Sequence, residues 1–204
     1  MRNRPAFFAD DIMLWEGLSY SPNHFWVDRT NEGWYRIGID GFAAHLLGRA
    51  DRVEFVTGKG NPTARITAGR AEFNLEFPEP LSQLRLNRDV TVHPDWLTKY
   101  LFTTGWLFEG KSESNLSGNS PRFFTDTRAG TWTKAELRRL TSFVHSLSGR
   151  GHPELGTVMM DGGSPAPGLL RLMSPNDAML VVRDFFAPDR TAVERQDDFE
   201  GEML

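Results

Sequence analysis

The sequence contains no cysteine, which excludes several kinds of chemistry at once. Disulfide bonds, thiolate nucleophiles and cysteine-ligated metal sites all need a thiol. Lysine is also scarce, so nearly all the positive charge is carried by arginine; the four lysines are Lys59, Lys99, Lys111 and Lys134. No lysine occurs from residue 60 to residue 98. A function that needs a lysine amine in that stretch is therefore excluded.

Long hydrophobic runs are absent as well. The longest fully apolar stretches, such as Met179–Val182, are far shorter than the roughly 20 residues that span a bilayer as a helix. The first residues include Arg2 and Arg4, but no apolar segment follows them, so there is no sign of a signal peptide. We therefore expect a cytoplasmic protein without a membrane span.

The charge is slightly negative and unevenly distributed. A net charge of −4 and a pI near 5.7 argue against a nucleic-acid partner. The stretch 187–204 has six acidic residues and two arginines, a net charge of −4 by itself. We expect this acidic tail to dock in a basic groove of a partner or, as an equal alternative, to fold against its own domain. The residues expected to make the contact are Asp197, Asp198, Phe199, Glu200 and Glu202.

Short apolar runs separated by turn residues fill the stretch 14–60, a pattern typical of β-strands. The runs Phe25–Val27 and Trp34–Ile39 flank a polar segment, which predicts a hairpin with a loop rather than a tight turn. Asp40 is placed to cap a short helix that Gly48 would end. Further alternating apolar residues predict strands as far as Leu86, and residues beyond Gly110 become polar.

The C-terminal part has a helical pattern. Thr133 and Glu136 fit a capping box, which predicts an amphipathic helix over residues 134–148. Ser174 and Pro175 predict the start of a second helix that ends near Phe186. We expect the apolar stripe of the first helix to pack on the rest of the protein or on a partner; its members are Leu137, Leu140, Val144 and Leu147.

Residues 20–109 resemble the H protein of the glycine cleavage system. The matching stretches follow the family's order: Tyr20–Val27, Tyr35–Ala43, Leu47–Gly48, Asp51, Val53, Phe55–Val56, Pro78, Asn87, His93–Leu97 and Gly105–Phe108. No single stretch is diagnostic, but the ordered set is specific. The resemblance implies a mainly β fold with short helices, a lipoyl-like barrel-sandwich hybrid, here followed by a C-terminal helical appendage.

With this resemblance the chain divides into five expected parts. They are an N-terminal arm (1–13), an H-protein-like lipoyl-type domain (14–110), a linker (111–131), a helical appendage (132–186) and the acidic tail (187–204).

The resemblance also bears on cofactor attachment. The family's lipoyl lysine lies on an exposed hairpin, and counting back from Asn87 and Pro78 places its tetrad on Thr67–Arg70. Arg70 thus occupies the expected lipoyl-lysine position. A lipoyl group is joined by an amide to a lysine amine, whereas a guanidinium stays protonated and is a very poor acyl acceptor. We therefore expect an exposed hairpin tip with no cofactor.

The leading hypothesis is a non-catalytic interaction or structural subunit that docks a partner protein or a larger complex. The alternative is a lipoyl or aminomethyl carrier of a glycine-cleavage-like system, modified at an unexpected lysine; Lys59 is the nearest. An independent enzyme is the third class, and no catalytic or metal-binding constellation supports it: the five histidines do not pair at helical spacing. His24 and His93 match family positions, which favours structural roles for both.

Overall fold

The computed structural model describes residues 4–30, 33–56, 58, 60–117, 122–148 and 165–187. Within these ranges the strands are β1 (Ala6–Ala9), β2 (Ile12–Trp15), β3 (Ser19–Tyr20), β4 (Phe25–Arg29), β5 (Tyr35–Ile39), β6 (Arg52–Val56), β7 (Thr63–Ala68), β8 (Ala71–Glu76), β9 (Ser82–Leu86), β10 (Phe108–Lys111) and β11 (Phe124–Thr125). The helices are α1 (Gly41–Leu47), α2 (Asp89–Val92), α3 (Trp96–Lys99), α4 (Asp126–Ser148), α5 (Leu169–Leu172) and α6 (Pro175–Phe186).

The strands form three antiparallel sheets. A six-stranded sheet has the order β11-β3-β4-β5-β10-β9, a three-stranded sheet has the order β6-β7-β8, and β1 pairs with β2 in a separate hairpin. The six-stranded and three-stranded antiparallel sheets, with a few short helices, are the arrangement expected of a barrel-sandwich hybrid. The predicted fold class, mainly β with a helical C-terminal region, is confirmed.

The centre of the six-stranded sheet is built around a tryptophan that needs a glycine opposite it. Trp26 in β4 pairs with Gly38 in β5, and a Cβ atom at Gly38 would meet the indole ring at 2.7 Å. The indole Nε1 donates a hydrogen bond to the Leu101 carbonyl over 3.1 Å. Trp26 is therefore buried with its polar atom satisfied, which ties the segment after α3 to the sheet.

Residues 6–15, near the N-terminus, are part of the folded core. The segment 1–13 was expected to be an arm, but β1 and β2 pair over four residues, and Ala9, Ile12 and Leu14 are fully buried. The hairpin packs beneath α4, where a Cβ atom at Gly130 would approach the Phe7 ring to 3.2 Å. Burial of alternate residues on one face explains why so short a hairpin is stable here.

Helix α1 is capped at both ends as predicted. Asp40 accepts a hydrogen bond from the Ala43 backbone N–H over 2.8 Å, and Gly48 ends the helix with φ +63°. A left-handed backbone at the C-terminal end favours glycine because it has no Cβ atom.

Helix α4 begins eight residues earlier than predicted, at Asp126, inside the segment expected to be a linker. The capping-box interpretation is wrong, since Thr133 and Glu136 are buried in the middle of the helix. Strand β11 pairs with β3 just before the helix, and the Asp126 carboxylate accepts a hydrogen bond from the Gly17 N–H over 2.8 Å. These contacts with distant residues set the start of the helix.

The helical C-terminal region packs onto the β-sheets. Leu140, Val144 and Leu147 of the predicted stripe are buried, and Leu137 is partly buried. Helix α6 begins at Pro175 with Ser174 as its cap, as predicted, and Phe186 stacks on Phe73 of β8 with centroids 6.2 Å apart. Among the residues that the structure describes, every helix is too short or too polar to cross a bilayer.

Candidate functional site

The hairpin formed by β7 and β8 ends in a two-residue turn. The strands pair from Thr63 and Glu76 to Ala68 and Ala71, which leaves Gly69 and Arg70 as the turn. Gly69 has φ +62°, a conformation that L-residues rarely adopt, and both turn residues are exposed. The predicted exposed hairpin tip is confirmed.

Arg70 makes no hydrogen bond, ion pair or ring contact with any other described residue. The neighbouring Ala68 and Ala71 are buried, so the strands are anchored up to the turn and Arg70 projects beyond them. Its guanidinium has five N–H donors and is exposed, so it can bind a partner.

Below the turn, the carboxylate of Asp51 accepts three hydrogen bonds. Oδ2 accepts hydrogen bonds from the Gly69 backbone N–H over 2.7 Å and from Arg171 Nη1 over 2.5 Å. Oδ1 accepts from Arg49 Nη2 over 2.9 Å. Asp51 therefore connects the hairpin turn, the end of α1 and helix α5 at one point.

The pKa of Asp51 reflects these donors. Partial burial raises the pKa, but the hydrogen bonds from Gly69, Arg171 and Arg49 outweigh that effect and lower it from 3.8 to about 2. Asp51 is consequently ionised throughout the physiological range, and it keeps both guanidinium groups in place.

Helix α5 lies directly against the turn. A Cβ atom at Gly69 would be 3.1 Å from both Cα and the carbonyl oxygen of Arg171. Arg171 also donates to the Arg49 carbonyl over 3.0 Å. Sequence reasoning missed Arg171, and no local signal identifies it, because its partners are more than a hundred residues away in the chain.

A second polar cluster lies inside the protein, around His24. The imidazole is fully buried, with Nδ1 2.9 Å from Asp40 Oδ2 and Nε2 3.4 Å from Glu136 Oε2. It stacks between Phe42 and Trp132, at centroid distances of 4.1 and 5.0 Å. The structural role predicted for His24 is in keeping with this environment, whereas His93 is exposed and stacks on Trp96 at 4.6 Å.

Glu136 extends this cluster into the appendage. Arg139 donates to Glu136 over 2.9 Å and also pairs with Asp184 of α6. The His24 cluster thus links the β-domain to α4 and, through Arg139, to α6. His24, Asp40 and Glu136 are buried, so the centre of the cluster holds the parts together rather than binding a ligand from outside.

An open groove of about 490 Å³ is lined by residues of β2, α1 and α3 and by Arg49. Its lining combines apolar Ile12, Met13 and Leu101 with the oppositely charged Asp95 and Lys99. The mixed charge favours no single class of small ligand.

The structure gives little support to other site chemistry. In the described ranges, no three His, Asp or Glu side chains are grouped so that they could hold a metal ion.

The described lysines lie on regular secondary structure: Lys99 ends α3, Lys111 ends β10 and Lys134 lies on α4, 3.6 Å from Asp10. Lys59 and the predicted partner-binding residues Asp197, Asp198, Phe199, Glu200 and Glu202 lie outside the described residues.

Comparisons with known proteins bear on the β-domain. The chain is 29% identical to the glycine cleavage system H protein of Mycolicibacterium vanbaalenii over 102 residues, which cover 48% of this chain and 78% of that protein. It is 28% identical to the H protein of Pectobacterium atrosepticum over 106 residues, covering 48% and 82%.

Among solved structures, a glycine cleavage system H protein from Mycobacterium marinum aligns with a TM-score of 0.45 and 18% identity, over 58% of this chain and 97% of that one. No family model matches the chain. Over about half of its length, the chain is thus similar to the glycine cleavage system H proteins.

Proposed function

We propose that this chain is an H-protein-like interaction subunit that carries no lipoyl group and docks a partner protein or complex in the cytoplasm, without catalysing a reaction. The observation that carries the proposal is Arg70, exposed at the two-residue turn where the resemblance places the lipoyl lysine. Its guanidinium is a very poor acyl acceptor, so the turn offers no attachment point.

The shape of the hairpin supports a docking role. The turn is held from below by Asp51 and by helix α5, so the exposed Arg70 is presented on a rigid support. A preorganised surface loses little conformational entropy on binding, which favours recognition by a protein partner.

The relatives are named as parts of a glycine cleavage system. We infer that this chain also assembles with other proteins.

The alternative is a lipoyl or aminomethyl carrier that is modified at another lysine. Of the described lysines, Lys99 and Lys134 lie on helices and Lys111 ends a strand, so none is at a hairpin turn like that of Gly69 and Arg70. This placement favours the non-lipoylated subunit. Lys59 lies outside the described residues.

The deciding experiment is intact and peptide mass spectrometry of the protein purified from its native source. We expect the unmodified mass, with no lipoyl increment on any lysine peptide. A lipoyl group on any of the four lysines would overturn the proposal in favour of the carrier.

A second experiment isolates the role of Arg70. The purified full chain is incubated with a lipoate–protein ligase, lipoate and ATP. We expect no acyl transfer to the unaltered protein, and transfer to Arg70→Lys, because the exposed turn would then present an amine. Arg65→Lys is the matched control, an exposed arginine on the same hairpin but away from the turn, and it should stay unmodified.

A further inference from the structure

We propose that the hairpin end is a docking surface for an acidic segment of a partner protein. The surface, here called the arginine end, consists of Arg49 and Arg171, which both bind Asp51, and of Arg70 in the adjoining turn. The proposal rests on the proposed function, because it names the chemistry of the partner that this subunit would bind.

The charge balance of the arginine end carries the argument. The Asp51 carboxylate binds the guanidinium groups of Arg49 and Arg171, and Arg70 adds a third guanidinium in the turn, so these four side chains carry a net charge of +2. The net charge of −4 of the whole chain lies in residues 187–204, and residues 1–186 sum to zero, so the arginine end is a positive surface on an otherwise neutral part of the chain. Such an asymmetry orients the encounter and increases the association rate.

The geometry prepares the arginines for binding. The Asp51 carboxylate fixes Arg49 on one oxygen and Arg171 on the other, while the side chain of Arg49 remains 65% exposed. Arg70 follows Gly69 in the turn and has no hydrogen-bond or ion-pair partner among the residues that the structure describes. Planar guanidinium groups held in this way can donate paired hydrogen bonds to carboxylates, which is a specific as well as a charged interaction.

Leu172 gives the surface an apolar neighbour. It follows Arg171 in α5 and is 60% exposed, so an apolar side chain is adjacent in sequence to one of the three arginines. The partner segment that fits best is therefore acidic, with an apolar side chain beside its carboxylates.

The test uses the full chain, labelled with ¹⁵N, and an oligoglutamate peptide as the probe. We expect chemical-shift changes concentrated at the amides of Gly69, Arg70 and Arg171, and an affinity that falls with added salt. Arg70→Glu should weaken binding by about five-fold or more, because it removes an attractive charge and adds a repulsive one. The matched control, Arg88→Glu, reverses an exposed arginine elsewhere and should leave the affinity at the arginine end unchanged.

Two outcomes would overturn the proposal. One is binding that is equally strong in Arg70→Glu and in the unaltered chain, or shift changes that lie away from the arginine end. The other is binding that emerges only after residues 190–204 are removed, since the occupant would then be the chain's own acidic tail. A lipoyl group found on the native protein, with peptide binding intact, would overturn the proposed function alone.

Discussion

The imidazole of His24 lies between two carboxylates from different parts of the chain. Its Nδ1 is 2.9 Å from Asp40, which caps α1, and its Nε2 is 3.4 Å from Glu136 in the middle of α4. A buried histidine in this position connects the β-domain to the appendage through polar contacts in a region otherwise packed with aromatic rings. The two parts therefore depend on each other for stability.

Replacing His24 by asparagine tests this connection. Asparagine tolerates the left-handed backbone of His24, φ +63°, but it cannot bridge both carboxylates. We expect the free energy of unfolding to fall by about 2 kcal/mol, because the buried Asp40 carboxylate loses its hydrogen bond with Nδ1 and the imidazole no longer packs between Phe42 and Trp132. Urea denaturation measures the change. His145→Asn, at an exposed position of α4, is the control and should change stability little; equal effects of the two substitutions would contradict the bridging role.

Substitution of Gly69 by alanine tests how closely α5 covers the hairpin turn. The change introduces strain at φ +62° and also crowds the Arg171 backbone at 3.1 Å. Gly33→Ala is the control, since Gly33 has φ +76° but open space around its Cβ position. We expect both variants to lose about 1 kcal/mol from backbone strain and Gly69→Ala to lose about 1 kcal/mol more. Equal losses in thermal or urea unfolding would show that α5 does not restrict the turn.

Asp51→Asn should destabilise the protein in a pH-dependent way. The pKa of Asp51 is lowered to about 2 in the folded state from 3.8, so ionised Asp51 stabilises the fold above about pH 4, and this contribution is lost as the pH falls toward 2. We expect a loss of about 1 kcal/mol at pH 7, after allowing for solvent screening, and a smaller difference at pH 3. Glu72→Gln, which removes a long 3.9 Å pair with Arg65, is the control and should show no such trend.

Truncation after Lys111 should expose apolar surface. The truncated chain lacks β11, which pairs with β3, and also α4 and α6, which cover the β-domain with Leu140, Val144 and Phe186. We expect reduced solubility and increased binding of a hydrophobic dye, because each such side chain contributes about 2 kcal/mol when buried. A truncated protein with the solubility and dye binding of the full chain would show that the β-domain is independent of the appendage.

Several features could be predicted because their causes are local. The hairpin turn needs a residue at positive φ, and Gly69 supplies it two residues before the alternation of β8 begins. The caps of α1 and α6 likewise depend on side chains within three residues of the helix ends. The start of α4 could not be predicted in this way, since the Thr133–Glu136 pattern also occurs inside helices and the true start depends on contacts with β3 and Gly17.

The sequence by itself determined the absence of thiol chemistry and the β-rich character of the first half, because residue identity and short-range spacing are enough to define them. The placement of Arg70 at a hairpin turn followed from the resemblance to the H proteins, not from spacing alone. Only the tertiary structure decided that the N-terminal segment joins the core and that Arg171 meets Asp51 across 120 residues. It also decided that Glu136 reaches His24. These contacts arise when distant apolar faces pack together, and the polar groups that become neighbours in that process cannot be recognised from their local sequence.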